Sequence, residues 1–343
     1  MSTLADPIVT TDLEALRASI SEGRHFDGQD VVVTGGAGFI GSWLCDFLTT
    51  EGAKVTCLDD MSTGLMANLR HLMQRTQFKF VNCDVTKTLP KIDKCNFIFH
   101  LASHPSPEEY QKHPVETIVG NSQGTLNMLE IAKKNHAPLL FASSSEVYGD
   151  AQVVPTPETY WGNVNPIGPR SCYDEGKRFT EALCMAYHRA YGLDVRLVRI
   201  FNTYGPRLRA DGLYARAISR FIRQALSGSD LTVYGRGDQT RSFCYITDTA
   251  RALLLASTKD EMKAQVLNVG NPEEISILSL ANAVIKAVGS HSKITYSKKP
   301  VDDPQRRCPD ISRARALLSW APRVSLEQGL SNTVKWLRAN SGE

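Results

Sequence analysis

The sequence predicts an α/β protein with a doubly wound parallel sheet and a smaller C-terminal lobe. From residue 30 to about 200, short runs of Val, Ile, Leu and Phe alternate with amphipathic helical patterns. That alternation is typical of parallel strands covered by helices on both faces. Glycines directly follow the first apolar run, and the pattern loosens after Gly205-Pro206. We therefore expect a sheet domain over 30–200 and a lobe over 201–343, with elements near 240–270 returning to the sheet.

The first 29 residues are predicted to be a helical extension. Residues 11–20 have helical apolar spacing and begin with Thr11 and Asp12, either of which can cap a helix. The segment has no long apolar core, so neither a signal peptide nor a membrane anchor is expected. We expect it to pack on the body of the protein or on a partner subunit.

A glycine-rich turn lies between the apolar run 31–33 and the helical pattern 42–50. Gly35 allows a tight turn, Gly38 lets the backbone approach a pyrophosphate, and Gly41 lets the helix pack close to the sheet. The N-terminus of that helix then offers N–H groups and a partial positive charge to phosphates. The turn therefore predicts a dinucleotide site of the Rossmann type, and a glycine turn without a ligand is the alternative.

The second strand, residues 54–58, runs into Asp59. An acidic residue at this place accepts hydrogen bonds from the ribose hydroxyls of adenosine, and its charge repels a 2′-phosphate. No arginine follows at once, so NAD is favoured over NADP. The alternative is a solvated aspartate at the end of a strand.

The third and fourth strands are predicted to end beside the same cofactor. Asp84 follows the third strand, where it could meet the adenine amino group. Residues 96–103 form the fourth strand, and its small terminal residues would leave room for the cofactor. His100 is expected to be structural, because a lone histidine in an apolar strand usually is.

The reactive groups are predicted at the ends of the fifth and sixth strands. The fifth strand runs into Ser144, and Tyr173 and Lys177 stand four residues apart on the following helix, on one face. Lys177, helped by the cationic nicotinamide, is expected to lower the pKa of the Tyr173 phenol, which is normally about 10, so that it can act as a base. Ser144 could hydrogen-bond the reacting hydroxyl.

Composition excludes several other functions. The net charge is +3 with 22% charged residues and no basic run, which argues against nucleic acid and membrane as partners. The 8 cysteines are scattered singly without metal-ligand spacing, so no metal site is expected and reduced thiols indicate a cytoplasmic protein. Cys172 has no evident base and is interpreted as a packing residue.

The chain resembles the extended short-chain dehydrogenase/reductases that act on nucleotide sugars, from about residue 30 to the C-terminus. Within that superfamily it is most similar to the UDP-glucuronate decarboxylases, also called UDP-xylose synthases. The most specific matching segments are 145–150 (SEVYGD), 160–170 (YWGNVNPIGPR), 172–178 (CYDEGKR), 200–207 (IFNTYGPR) and 302–307 (DDPQRR). The resemblance implies an NAD-dependent enzyme with a substrate-binding C-terminal lobe, and a homodimer whose helices around 115–133 and 173–191 form a four-helix bundle.

The resemblance also implies a three-stage reaction. The sugar is oxidised at C4, the resulting β-keto acid loses CO₂, and reduction at C4 gives UDP-xylose and regenerates NAD⁺. The implied catalytic residues are Ser144, Glu146, Tyr173, Lys177 and Arg307. The implied cofactor contacts are Gly35, Gly38, Phe39, Ile40, Gly41, Asp59, Asp60, Ser62, Thr63, Gly64, Asp84, Val85, Leu101, Ser103, Tyr173 and Lys177. The implied substrate contacts are Asn121, Asn202, Arg216, Tyr234, Gln239, Arg241 and Arg307.

Glu146 separates the possible reactions within the superfamily. A 4-epimerase would not be expected to need a carboxylate there, and a 4,6-dehydratase has an Asp-Glu pair whose Asp protonates the leaving hydroxyl. Ser145 occupies the position of that Asp, so decarboxylation is favoured over both alternatives. A non-catalytic binding module of the same fold is disfavoured by the complete Ser, Tyr and Lys set. Val119 departs from the family, which has a lysine at this position near the substrate.

Overall fold

The computed structural model describes residues 6–20 and 23–340. Its strands are β1 (Asp30–Thr34), β2 (Lys54–Asp59), β3 (Phe78–Asn82), β4 (Phe97–His100), β5 (Leu139–Ser144), β6 (Val195–Ile200), β7 (Thr203–Tyr204), β8 (Leu231–Tyr234), β9 (Thr240–Ser242), β10 (Cys244–Tyr245), β11 (Val266–Val269), β12 (Glu274–Ser276) and β13 (Ile294–Ser297). Its α-helices are α1 (Pro7–Ala18), α2 (Phe39–Thr50), α3 (Pro107–Lys112), α4 (Pro114–Asn135), α5 (Ser171–Tyr191), α6 (Ala217–Leu226), α7 (Ile246–Thr258), α8 (Ile277–Val288), α9 (Ser312–Leu318) and α10 (Leu326–Asn340).

Seven of these strands form one sheet in the order β11-β6-β5-β4-β1-β2-β3, and every neighbouring pair is parallel. The doubly wound sheet predicted from the sequence is thus confirmed. The order reverses direction between β1 and β4, and a crevice at such a reversal is where ligands bind in this class of sheet.

Apolar side chains cover both faces of the sheet. Val31 and Val33 of β1 belong to one core, with α2 and α7, whereas Val32 between them belongs to a second core, with α4 and α5. This alternation follows from the two-residue period of a strand. Because both faces are buried, the strands read as continuous apolar runs, which is the pattern that the sequence shows.

The remaining strands form three short pairs beside the carboxyl edge of the large sheet. β7 pairs with β10, β8 pairs with β13, and β9 pairs antiparallel with β12. Helices α6, α8 and α10 pack on one another over these pairs. The late strand predicted at 267–270 is present as β11 and joins the large sheet beside β6.

Helix α1 begins earlier than the sequence suggested. Its N-cap is Asp6, whose carboxylate accepts a hydrogen bond from the Ile8 backbone N–H at 2.9 Å, so neither Thr11 nor Asp12 is the cap. Asp12 instead faces the body and accepts a hydrogen bond from the Tyr245 hydroxyl at 2.5 Å. Residues 1–5 and 21–22 of the predicted extension lie outside the described residues. Across residues 6–20 and 23–340, no helix is both long and apolar enough to span a bilayer.

Candidate active site

A cavity of about 1270 Å³ opens at the carboxyl ends of β1 and β4. Its walls combine the glycine turn after β1, the ends of β2 to β6, and residues 200–243 and 300–307 of the second half of the chain. A space of this size exceeds that needed for a single drug-sized ligand and suits a dinucleotide together with a second nucleotide.

The glycine turn has the geometry that a pyrophosphate requires. Gly35 has a φ of +67°, and a Cβ on it would lie 2.9 Å from the Ala102 backbone nitrogen. A Cβ on Gly41 would lie 2.2 Å from the Gly35 carbonyl oxygen, so only glycine fits there. Gly38 is the N-cap of α2, and no side chain among the described residues caps that helix end. The N-terminus of α2 is therefore available to an anionic group.

Asp59 ends β2 at the wall of the cavity. Its carboxylate accepts hydrogen bonds from the backbone N–H groups of Ala37 and Met61, each at 2.9 Å, so it also holds the glycine turn in place. Burial raises the pKa of this carboxyl above its ordinary value. Each carboxylate oxygen has a second lone pair that a ribose hydroxyl can use. Asp60, the next residue, is exposed and accepts from the Ser62 backbone and hydroxyl.

His100 is a structural residue, as expected. Its ring nitrogens hydrogen-bond the hydroxyls of Thr34 and Thr125 at 2.7 and 3.0 Å, which ties β1, β4 and α4 together. Burial lowers the pKa of His100 to about 3, so the ring is neutral. Cys172 is likewise a packing residue, and burial raises the pKa of its thiol.

Tyr173 and Lys177 lie on the same face of α5 and both line the cavity with Ser144. The Lys177 ammonium lies 5.6 Å from the Tyr173 ring centroid and donates a hydrogen bond to the Ala142 carbonyl at 2.9 Å. Burial raises the pKa of Tyr173 to about 12, while hydrogen bonding by Ser144 and the charge of Arg216 oppose that rise. Burial also lowers the pKa of Lys177 to about 7. Burial thus decides the direction of the phenol pKa in the protein alone, and the lowering of that pKa by Lys177 together with the cationic nicotinamide stays a prediction.

Glu146 is clamped between two arginines at the base of the cavity. Arg170 donates to its carboxylate at 2.5 Å, and Arg307 donates to both carboxylate oxygens at 2.5 and 2.7 Å. Burial favours the neutral carboxyl, but the two guanidinium groups outweigh it and lower the pKa of Glu146 to about 2. Glu146 is ionised at neutral pH and fixes both arginines at the site.

The second half of the chain supplies the opposite wall. Arg241 is buried and contacts the Asp303 carboxylate at 3.0 Å, and Gln239 donates to the Tyr234 carbonyl at 2.9 Å. Arg216 donates to the Pro105 carbonyl at 3.0 Å, which links α6 to the segment after β4. Asn202, Arg216, Tyr234, Gln239, Arg241 and Arg307 all line the cavity, in keeping with the implied substrate wall.

Two residues of the implied site lie outside the cavity wall. Gly64 packs against the turn, because a Cβ there would lie 2.7 Å from both the Ala37 Cβ and an Asp59 oxygen. Asn121 is buried in α4, where its side chain accepts a hydrogen bond from Ser103 at 3.1 Å and donates to the Thr117 carbonyl. Both support neighbouring residues of the site, and their implied contacts with the cofactor and the substrate stay predictions.

Sequence reasoning missed several residues at this site. Arg170 clamps Glu146, and Tyr110 stacks on Tyr173 with centroids 5.1 Å apart and an interplanar angle of 3°. His104 lines the cavity and pairs with Glu109 at 2.8 Å. Arg170 could have been noticed as a cation three residues before Tyr173.

Across the described ranges, His, Cys, Asp and Glu residues form no group of three or more that could hold a metal ion.

The fold and these site residues define an NAD-binding short-chain dehydrogenase type of protein. The model of the NAD dependent epimerase/dehydratase family matches residues 31–270, and the chain belongs to that family.

The family resemblance inferred from the motifs is confirmed by curated relatives. The chain is 46% identical over 312 residues to UDP-glucuronic acid decarboxylase 1 of Xenopus tropicalis, covering 91% of this chain and 73% of that protein. It is 45% identical over 301 residues to UDP-glucuronic acid decarboxylase 5 of Arabidopsis thaliana, covering 88% of this chain and 86% of the relative.

Solved structures of epimerases share the fold. UDP-glucuronic acid 4-epimerase from Bacillus cereus, solved with UDP-glucuronic acid and NAD, superposes with a TM-score of 0.80 at 30% identity, covering 91% of this chain and 99% of that one. An epimerase from Methanothermobacter thermautotrophicus gives a TM-score of 0.85 at 26% identity, covering 98% and 97% of the two chains. The cofactor of this family is NAD, and the glycine turn and Asp59 fit it.

Proposed function

We propose that this protein decarboxylates UDP-glucuronate to UDP-xylose, with NAD as a recycled cofactor. The observation that carries the proposal is Glu146 held ionised between Arg170 and Arg307 beside Tyr173. In one cavity, Tyr173 can act as a base on the C4 hydroxyl, and Arg170 and Arg307 can attract a substrate carboxylate. Relatives 46% identical to the chain have this activity by name, which supports the assignment.

Tyr173 is the proposed acid–base residue. It takes the proton of the 4-hydroxyl and later returns a proton to the C4 oxygen. When bound, NAD supplies reversible hydride transfer at C4. Burial keeps the phenol protonated in the protein alone, so local positive charge must favour its ionised form during the reaction. Ser144 supports this by hydrogen bonding, and Lys177 supplies an ammonium on the same helix face.

The arginine clamp is proposed to serve the decarboxylation. The C4 ketone makes the sugar a β-keto acid, so the C5–carboxylate bond can break while its electron pair moves toward the C4 oxygen. Arg307 uses two donors on Glu146, and a guanidinium has five, so others remain for the substrate. Glu146 orients Arg307 and is not itself an acid, because its pKa is held near 2.

Opposite walls of the cavity are proposed to hold different ligands. The 30–200 domain contributes the glycine turn and Asp59 for the cofactor. The 201–343 lobe contributes a second wall, where the arginines suit a diphosphate because their planar fork can bond two oxygens. The residues proposed for uracil, ribose and diphosphate are Asn202, Arg216, Tyr234, Gln239 and Arg241.

A 4-epimerase or 4,6-dehydratase activity is the alternative, and the solved epimerases with the same fold are the reason to test it. The test is incubation with UDP-glucuronate and NAD⁺, followed by chromatography and mass spectrometry. Loss of CO₂ with a UDP-pentose product is expected. A product of unchanged mass but different retention would identify an epimerase, and loss of water from a UDP-hexose would identify a dehydratase. Tyr173→Phe serves as the inactive control.

We also propose a homodimer in which α4 and α5 of each copy form a four-helix bundle. The two helices pack against each other, yet Ile118, Phe179 and Tyr191 remain 42%, 51% and 60% exposed. Exposed apolar side chains of this size on paired helices favour burial against a second copy. Light scattering at micromolar concentration should give twice the chain mass, and Phe179→Asp should shift it toward the monomer.

A cytoplasmic location is proposed from the 8 cysteines, all free thiols.

A further inference from the structure

Asp174 is a buried carboxyl that the proposed reaction does not use. It follows Tyr173 in the first turn of α5 and is 5% exposed. Its Oδ2 lies 3.8 Å from Arg170 Nε, and its Oδ1 has no hydrogen-bond partner among the residues that the structure describes. Asp174 does not line the cavity, whereas Arg170, Glu146 and Tyr173 do. It therefore lies behind the residues proposed to act on the substrate.

The carboxyls of Glu146 and Asp174, which both lie near Arg170, differ in their hydrogen bonding. Glu146 receives three hydrogen bonds from Arg170 and Arg307, whereas Asp174 receives none from either. A buried carboxylate without hydrogen bonds is costly, and a second negative charge nearby adds to that cost. Burial and the charge of Glu146 accordingly raise the pKa of Asp174 to about 8. The surroundings therefore favour the ionised form of Glu146 and the protonated form of Asp174.

Arg170 and Arg307 partly compensate Asp174, and the further charged residue that acts on its pKa in the described part of the chain is negative. The hydroxyl of Tyr110 is buried without a hydrogen-bond partner in the described part of the chain, and Tyr110 and Cys172 are neutral. Glu175 on the same helix contacts Arg178 at 3.4 Å and adds negative charge near Asp174. Across the cavity, Arg241 is already matched by Asp303 at 3.0 Å. While Asp174 is neutral, the guanidinium groups of Arg170 and Arg307 are balanced by the Glu146 carboxylate alone. The cluster then has a net charge of one positive unit.

We propose that Asp174 is a positioning residue that, by staying protonated, leaves one guanidinium charge of the Arg170–Glu146–Arg307 clamp free for the carboxylate of the substrate. This inference rests on the proposed function. Loss of the Asp174 proton removes the surplus charge, and the site then favours a neutral sugar as much as an acidic one. Discrimination for the acidic sugar is therefore coupled to one proton held behind the cavity wall.

The coupling predicts a pH dependence specific to the acidic ligand. Affinity for UDP-glucuronate should fall above the pKa of Asp174, near pH 8, while affinity for UDP-glucose should not fall with it. Ionisation of the uracil ring affects both ligands equally, so it cancels in the ratio of their dissociation constants. Lys177 and His104 also line the cavity and titrate, so their contribution to the ratio is subtracted by comparison with Asp174→Asn. A lost unit charge close to a desolvated carboxylate corresponds to about tenfold in that ratio.

Calorimetric binding to the NAD-loaded Tyr173→Phe variant tests the inference without turnover. Between pH 7 and 9.5, the ratio of the UDP-glucuronate Kd to the UDP-glucose Kd should rise about tenfold. Tyr173→Phe/Asp174→Asn, which keeps an uncharged side chain of the same shape, should lose the part of this rise that Asp174 causes and keep only the part due to Lys177 and His104. A ratio that is flat in the single variant, or that rises equally in the two variants, would overturn the inference.

Infrared difference spectra of Asp174→Asn against the unmodified protein provide a second measurement. A protonated carboxyl band should be lost at pH 7, and its absence from the unmodified protein would refute a neutral Asp174. If UDP-glucuronate binds no more tightly than UDP-glucose at pH 7, the proposed function itself fails, and the inference fails with it. Preferential binding of UDP-glucuronate with no pH dependence contradicts the inference alone.

Discussion

Replacement of Arg170 by methionine tests the arginine clamp, because methionine has a similar length and no charge. The clamp lowers the pKa of Glu146 from 4.5 to about 2. A depression of that size corresponds to about 3.5 kcal/mol, since each unit is worth about 1.4 kcal/mol. Arg170 contributes the largest favourable charge interaction with Glu146. Removing one partner of a buried ion pair costs about 3–5 kcal/mol, and Arg307 remains to pair with Glu146 here, so a loss of about 2 kcal/mol is expected. The side chains of Arg170 and Glu146 are 8% and 13% exposed, so solvent screening is small.

Arg170→Met should therefore lower the free energy of unfolding by about 2 kcal/mol at pH 7. The Glu146 pKa is depressed on folding, so this contribution is present above pH 4.5 and is lost as the pH falls toward 2. Urea unfolding followed by tryptophan fluorescence measures the difference at pH 7. Arg170→Lys is the matched control and should recover part of the loss, because lysine retains the charge without the planar fork. A methionine variant within 0.5 kcal/mol of the unmodified protein, about the scatter of surface substitutions, would refute the reasoning.

Three further outcomes are expected. Tyr173→Phe should lower kcat by about 10³-fold while NAD still binds, because the glycine turn and Asp59 are intact; near-normal turnover would show that another group is the base. Absorbance during turnover should reveal no stoichiometric NADH, since oxidation and reduction share one site, and a 4-keto pentose as main product would contradict this closed cycle. Gly41→Ala should abolish NAD binding, because the added Cβ would lie 2.2 Å from the Gly35 carbonyl oxygen. Gly120→Ala is the control and should bind NAD normally, because no protein atom lies within 4 Å of the Cβ added there.

Features that depend on local chain geometry were readable from the sequence. The turn with Gly35, Gly38 and Gly41 joins a strand to a helix within a few residues, so its conformation is set by its own residues. Tyr173 and Lys177 share a face because four residues make about one helical turn. The parallel sheet followed from apolar runs buried on both faces.

Features that depend on long-range packing could not be predicted from local sequence patterns. Arg307 lies 161 positions from Glu146 in the chain, and only the fold brings them to hydrogen-bond distance. The family resemblance placed both at the reaction centre but did not reveal the clamp with Arg170. The rise of the phenol pKa by burial was not foreseen for the same reason, because charge spacing along a helix is visible in a sequence while the burial of Tyr173 is not. Protonation of Asp174 likewise depends on which carboxyl the arginines reach.

Val119 is the residue whose replacement best tests how the acidic sugar is held. It lines the cavity from α4 and is 38% exposed, and the family resemblance implies a lysine at this position. If the arginine clamp already holds the carboxylate, a lysine here adds a second, partly screened attraction of about 0.5–1 kcal/mol. Val119→Lys should then lower the KM for UDP-glucuronate by about threefold.

The control for that variant is Val119→Met, which has similar length without charge. Glu116 lies three residues earlier on the same helix face and could pair with the new ammonium instead. Val119→Lys/Glu116→Gln removes that partner and should show the larger effect on KM. If the unmodified enzyme converts a neutral UDP-hexose and leaves UDP-glucuronate untouched, Val119 marks a changed substrate. The epimerase or dehydratase alternative would then replace the decarboxylase. A site that lacks the implied lysine at position 119 and rejects UDP-glucuronate does not use the arginine clamp to hold a substrate carboxylate.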